Sequence, residues 1–181
     1  MTNFTFHTPT NATEPAKSLL NGIQEGYGFI PNLFGYMAEA PTTLEAYLTL
    51  NSLVSKTSFT AAQQQVALLA VSVENECDFC TVAHRAMGKL NQAHAQTLSA
   101  LNMGEKIDDA SDAALAAFAQ SVTKNRGRPA NAEVQTFLDA GFTKQQIFEV
   151  ILIISIKTLS NYSNHLTNPE ANPELLKMLE D

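Results

Sequence analysis

Residues Thr60-Ala-Ala-Gln63 lead into Val66-Ala-Leu-Leu-Ala-Val-Ser-Val73, and this pairing restricts the fold more than any other stretch of the chain. In the first four residues a threonine hydroxyl and a glutamine side chain stand at the spacing that satisfies the free amides of a helix start. The run behind them is apolar on every side of a helix, so that helix has to be enclosed by others. The cap pattern returns at Thr143-Lys-Gln-Gln146, ahead of a second apolar run ending at Ile156. Ile147–Ile156 is rich in β-branched residues that would suit a strand, but no other segment offers a partner strand, and the cap favours a helix. The expected fold class is all-α.

The rest of the chain agrees. Residues 1–12 are polar and read as an extended arm, residues 13–168 as a single all-helical domain, and residues 169–181 as a polar tail with a short helix from Pro173. Apolar spacing predicts helices near 13–25, 77–90, 91–101, 111–124, 131–140 and 143–163. Pro41 suits the first turn of a further helix running to about Ser55. A shift of 83 residues lays Phe59-Thr60 on Phe142-Thr143, Gln63 on Gln146 and Ser72 on Ser155. The same shift sets Cys77, Phe79 and Cys80 on Ser160, Tyr162 and Ser163. The bundle is therefore expected to contain a duplicated two-helix unit whose first copy alone carries thiols.

Composition narrows the function. The chain has 181 residues, 45% hydrophobic and 16% charged, enough for one real core. A net charge of -7 without a basic run argues against a nucleic acid partner and against a membrane surface. Val150–Ile156 is far shorter than the roughly 20 residues of a membrane helix, and the N-terminus lacks the pattern of a secretory signal, so a cytoplasmic location is expected.

The two cysteines lie three residues apart, where loop closure would add only about 2 kcal/mol to stability. A structural disulfide is thus the poor reading, and a redox pair or a metal site the better one. In Glu74-Asn-Glu-Cys77-Asp-Phe-Cys80-Thr-Val-Ala-His84 the two thiols and the imidazole share one helical stripe, with His84 four residues beyond Cys80. An unperturbed thiol is only about 3% ionised at pH 7. Free amides at the helix start and a proton-accepting His84 favour the thiolate, whereas Glu74, Glu76 and Asp78 oppose it. Structural zinc would want four ligands, and no second Cys/His pair at suitable spacing supplies them, so neither a metal nor a cofactor is expected. His7 and His94 read as solvated, His165 as a buried brace of the second repeat, and Phe29–Phe34 as packing or oligomer contact.

With these residues assembled, the chain resembles the alkylhydroperoxidase-D-like branch of the carboxymuconolactone decarboxylase superfamily, in particular its peroxidase-related subgroup. Gly28-Phe-Ile-Pro-Asn-Leu-Phe34, the Cys77-Asp-Phe-Cys80-Thr-Val-Ala-His84 core and Ala140-Gly-Phe-Thr143 through His165 carry the resemblance. It implies an alkylhydroperoxidase-D-like helical fold, homo-oligomers (dimer, trimer or hexamer), and thiol-dependent reduction of a hydroperoxide substrate or a partner disulfide. A thiol or dithiol protein would serve as reductant. It further implies that Cys80 is attacked first, that Cys77 resolves it to a Cys77–Cys80 disulfide, and that His84 handles the proton. Local physics alone favours Cys77 as the thiolate, being nearer the helix start; the i+4 histidine favours Cys80. The family relay usually includes a glutamate twelve residues before the first cysteine, where this chain has Gln65. An amide can bond an imidazole yet cannot accept a proton. A non-catalytic oligomeric binding protein with a vestigial motif is the alternative that Gln65 supports. A lactone decarboxylase would not depend on the dithiol.

Overall fold

A computed structural model describes residues 3–180, and among them every regular element is helical. The order is α1 (Ala16–Tyr27), α2 (Asn32–Met37), α3 (Pro41–Val54), α4 (Ala61–Glu74), α5 (Asp78–Leu90), α6 (Ala95–Met103), α7 (Ala110–Lys124), α8 (Asn131–Asp139), α9 (Lys144–Thr167) and α10 (Pro173–Glu180).

Helix α4 is the axle of the bundle. Its capping box forms, with Gln63 N donating to Thr60 Oγ1 at 3.2 Å and Thr60 N to Gln63 Oε1 at 3.0 Å. Val66 through Val71 are all buried, and α5, α6, α7 and α9 pack around them. Enclosure explains the lack of a polar face: every side of α4 loses water on folding, and each fully buried Val or Leu contributes about 1.5–3 kcal/mol. The second capping box forms too, between Thr143 and Gln146. The β-branched run behind it lies wholly inside α9. The residues preceding the two caps, Phe59 and Phe142, meet with ring centroids 6.0 Å apart, and Phe142 continues a stack through Phe137 to Phe118 at 4.5 and 4.3 Å.

Several boundaries differ from expectation. The helix expected from Asn91 starts at Ala95, because Gln92 takes a left-handed φ of 59° and His94 caps α6 instead. Helix α9 extends past Ser163 to Thr167, where Asn168 ends it in the left-handed region. The polar tail is docked rather than free: α10 packs against α5, with Leu175 buried. Just before it, Asn172 Oδ1 accepts from the Asn32 amide at 2.8 Å.

Candidate active site

The break between α4 and α5 creates the site. Asn75 ends α4, and Glu76 adopts a left-handed φ of 53°, an uncommon conformation for a residue with a β-carbon. Cys77 follows as the N-cap of α5, its amide donating to the Ser72 carbonyl at 2.9 Å. Cys80 lies one turn inside α5, and both thiols are free and buried. Glu76 and Asp78 are exposed, so two of the three carboxylates expected to oppose a thiolate sit in solvent.

Helix α9 supplies what faces the sulfurs. Asn164 Nδ2 donates to Cys80 Sγ at 3.2 Å and lies 3.7 Å from Cys77 Sγ. Lys157, only 1% exposed, places Nζ 2.8 Å from His84 Nε2. The other imidazole nitrogen, Nδ1, is 3.0 Å from Gln65 Oε1. An ammonium group only donates, so Nε2 accepts from Lys157. Nδ1 therefore carries the hydrogen and donates to the glutamine oxygen, which fixes the tautomer.

The electrostatics divide the two thiols. Cys80 is held well below the ordinary thiol range: the Cys77 thiol donates toward its sulfur, and the Lys157 ammonium and the Asn164 amide add to this against the effect of burial. Cys77 is pushed up, first because it gives its hydrogen toward Cys80 and then by burial. His84 is lowered, by burial and then by the Lys157 charge, and is neutral near pH 7. Burial likewise raises the Tyr47 phenol, keeping it protonated.

A cavity of about 670 Å³ opens onto this group. Cys80, His84, Gln65 and Lys157 lie in its wall, whereas Cys77 does not. Tyr27, Phe34, Tyr47, Leu68, Met87 and Leu175 make much of the remaining surface, and among the described residues no carboxylate lines it. The wall is mostly apolar, and of the two cysteines only Cys80 lines it.

The predicted residues Cys77, Cys80, His84 and Gln65 are thus brought together, but the direct imidazole–sulfur bond expected from the i+4 spacing is replaced by bonds to Lys157 and Gln65. The same bonds leave the imidazole no free lone pair for a metal. Sequence reading passed over Lys157 and Asn164, although a signal existed. Gln146, Val150, Ile153, Lys157, Ser160 and Asn164 form one buried stripe of α9, alternating by three and four residues, and its last members are polar. His165, expected as a buried brace, is exposed and stacks beside Tyr162 at 6.1 Å. His7 and His94 bond Glu39 and Asp112 at 2.6 and 2.9 Å, away from the cavity.

Comparison with known proteins agrees with this picture. Residues 41–123 match the carboxymuconolactone decarboxylase family, a span holding both cysteines, Gln65 and His84 but not α9. The chain superposes on the alkylhydroperoxidase AhpD core of a peroxidase-related protein from Ralstonia eutropha with a TM-score of 0.82 at 20% identity, covering 96% of this chain and 93% of that one. A peroxidase-related protein from Silicibacter gives 0.76 at 19% identity, covering 97% of both chains. The debrominase Bmp8, as a cysteine-to-alanine variant in complex with 2,3,4-tribromopyrrole, gives 0.81 at 15% identity, covering 99% of this chain and 97% of that one. No curated protein matches the chain in sequence. The match to the carboxymuconolactone decarboxylase family falls on residues 41–123, and the whole chain has the fold of the alkylhydroperoxidase AhpD core.

Proposed function

We propose that this protein is a thiol-dependent oxidoreductase that reduces hydroperoxides or a partner disulfide through Cys80 and Cys77, with His84 and Gln65 in the proton relay. The observation that carries the reading is the unequal placement of the two sulfurs. Cys80 faces the cavity with its thiolate favoured, and Cys77 stands behind it, protonated and outside the cavity wall. A thiolate at Cys80 attacks the outer oxygen of a hydroperoxide, forming Cys80–S–OH and releasing the alkoxide. The sulfenic acid then condenses with the Cys77 thiol, giving a Cys77–Cys80 disulfide and water. A thiol or dithiol protein returns two electrons and two protons to complete the cycle.

Peroxide consumption by purified protein, supplied with a dithiol reductant, tests the assignment. The parent should turn over and Cys80→Ser should not; equal rates would remove Cys80 from the chemistry. The aromatic cavity wall favours a second reading, in which the same two electrons cleave a carbon–halogen bond of a small aromatic compound. Halide release in place of peroxide loss would support it.

The proposal includes a cytoplasmic setting, since a working dithiol needs a reducing compartment. Among the described residues no helix is long and apolar enough to cross a membrane. It also includes a homo-oligomer. Helix α9 turns Phe148, Tyr162 and Leu166 outward, 76%, 57% and 73% exposed, and sedimentation at several concentrations measures whether copies associate.

A further inference from the structure

We propose that Lys157 is the charge partner and proton donor of the dithiol: it pairs with the Cys80 sulfur in the reduced protein and protonates the alkoxide that leaves when the peroxide bond opens, while His84, held by Gln65, acts through Lys157 as a positioning residue. The inference rests on the thiol chemistry above and adds to it the source of the proton.

The geometry carries it. A lysine only 1% exposed is rare without a compensating anion, because burying an unpaired charge is far more costly than burying a paired one. Among the described residues no carboxylate pairs with Lys157, and none lines the cavity it enters. The groups that face the cavity with it are Cys80 and His84 from α5, Gln65 from α4, Tyr47 from α3 and Tyr27 from α1, with Cys77 behind Cys80. The imidazole is a neutral acceptor and the phenols keep their protons, so the anion available to Lys157 is the Cys80 thiolate. The imidazole has no hydrogen on Nε2 to give, since that atom accepts from Nζ at 2.8 Å. Among the described residues, Lys157 is thus the one cationic donor in the cavity wall that Cys80 also lines.

The steps balance. Cys80–S⁻ and Lys157–NH₃⁺ with ROOH give Cys80–S–OH, Lys157–NH₂ and ROH. Condensation with Cys77–SH yields the disulfide and water. Reduction by an external dithiol restores Cys77–SH and Cys80–SH, and the second passes its proton back to Lys157. The arrangement also accounts for Gln65. With an ammonium in place, the relay needs only a neutral acceptor to orient His84, whereas a carboxylate there would draw a proton onto the imidazole and set a second cation against Lys157.

The test is the rate of Cys80 alkylation against pH, read by mass spectrometry in the full chain with no peroxide present. Lys157→Met should move the Cys80 titration up by at least about one pH unit, slowing alkylation at neutral pH about tenfold, while Lys157→Arg should keep it near the parent's. An unchanged titration in Lys157→Met overturns the proposal. Failure of the parent to consume peroxide, with the shift still present, would sink the peroxidase reading and leave the ion pair standing. Should Lys157→Met not fold, nitrogen NMR of His84 in the unaltered protein decides. The proposal expects hydrogen on Nδ1 and a bare Nε2 at neutral pH, and the opposite tautomer overturns it.

Discussion

Helices α4 and α9 begin alike and end differently. Each opens on a Phe-Thr-x-x-Gln cap and an apolar run, and their leading phenylalanines touch. Helix α4 then stops at Glu74, and the turn through Glu76 restarts the chain at Cys77, which places two sulfurs at the amide-rich start of α5. Helix α9 runs unbroken for 24 residues. Its counterparts of the cysteines, Ser160 and Ser163, donate to carbonyls of their own helix, Ser163 to Leu159 at 2.7 Å. One copy places the two thiols by breaking; the other, by continuing, carries Lys157 and Asn164 to the same site. The site needs both, and neither half holds it alone.

This division can be broken most severely at the thiols. Cys80→Ser should lower peroxide turnover to background, a drop of at least about a thousandfold. Ser163→Ala, the matching change in α9, should leave the rate within about twofold, since that hydroxyl is engaged with its own helix. Comparable losses from both would deny that the copies differ in role.

The next contrast concerns packing. Leu69→Ala, in the enclosed α4, should cost about 2–5 kcal/mol in denaturant unfolding. Phe148→Ala, on the outer face of α9, should stay within about 0.5 kcal/mol at concentrations where the protein is monomeric. A large effect at Phe148 would mean that α9 is enclosed as α4 is.

Acid should act through His84. Its folded pKa is lowered, so below the unfolded value of about 6.5 the unfolded chain binds a proton that the folded one refuses. Stability therefore declines as pH falls below about 6.5, by up to about 1.4 kcal/mol per pH unit from this group. His84→Gln should flatten that slope in unfolding curves taken between pH 7 and pH 5. The smallest expected effect lies at the caps: Thr60→Ala and Thr143→Ala should each cost about 1 kcal/mol, alike in the two copies because the same bonds are lost.

The caps, the enclosed α4 and the approach of Cys77, Cys80, His84 and Gln65 were legible because each depends on local spacing along a helix. What escaped depends on rotation about a helix axis. Asn164 and His165 are neighbours in sequence, yet at 3.6 residues per turn they point about 100° apart; the histidine, chemically the more suggestive, meets solvent while the asparagine meets the sulfurs. Lys157 escaped because a lysine in an amphipathic pattern is ordinarily solvated, and only the packing of α9 against α4 and α5 reveals that this one is not. The tail gave no sign of docking, since Leu175 takes its meaning from the cavity wall it completes.

The central claim is that the two sulfurs differ in ionisation because of where they sit. Alkylation of each cysteine in the reduced parent, followed site by site across pH, tests it most directly. Cys80 should react with a midpoint clearly below the ordinary thiol value of about 8.5 and Cys77 with one above it. Midpoints that coincide near 8.5, or that fall in the reverse order, would contradict the account.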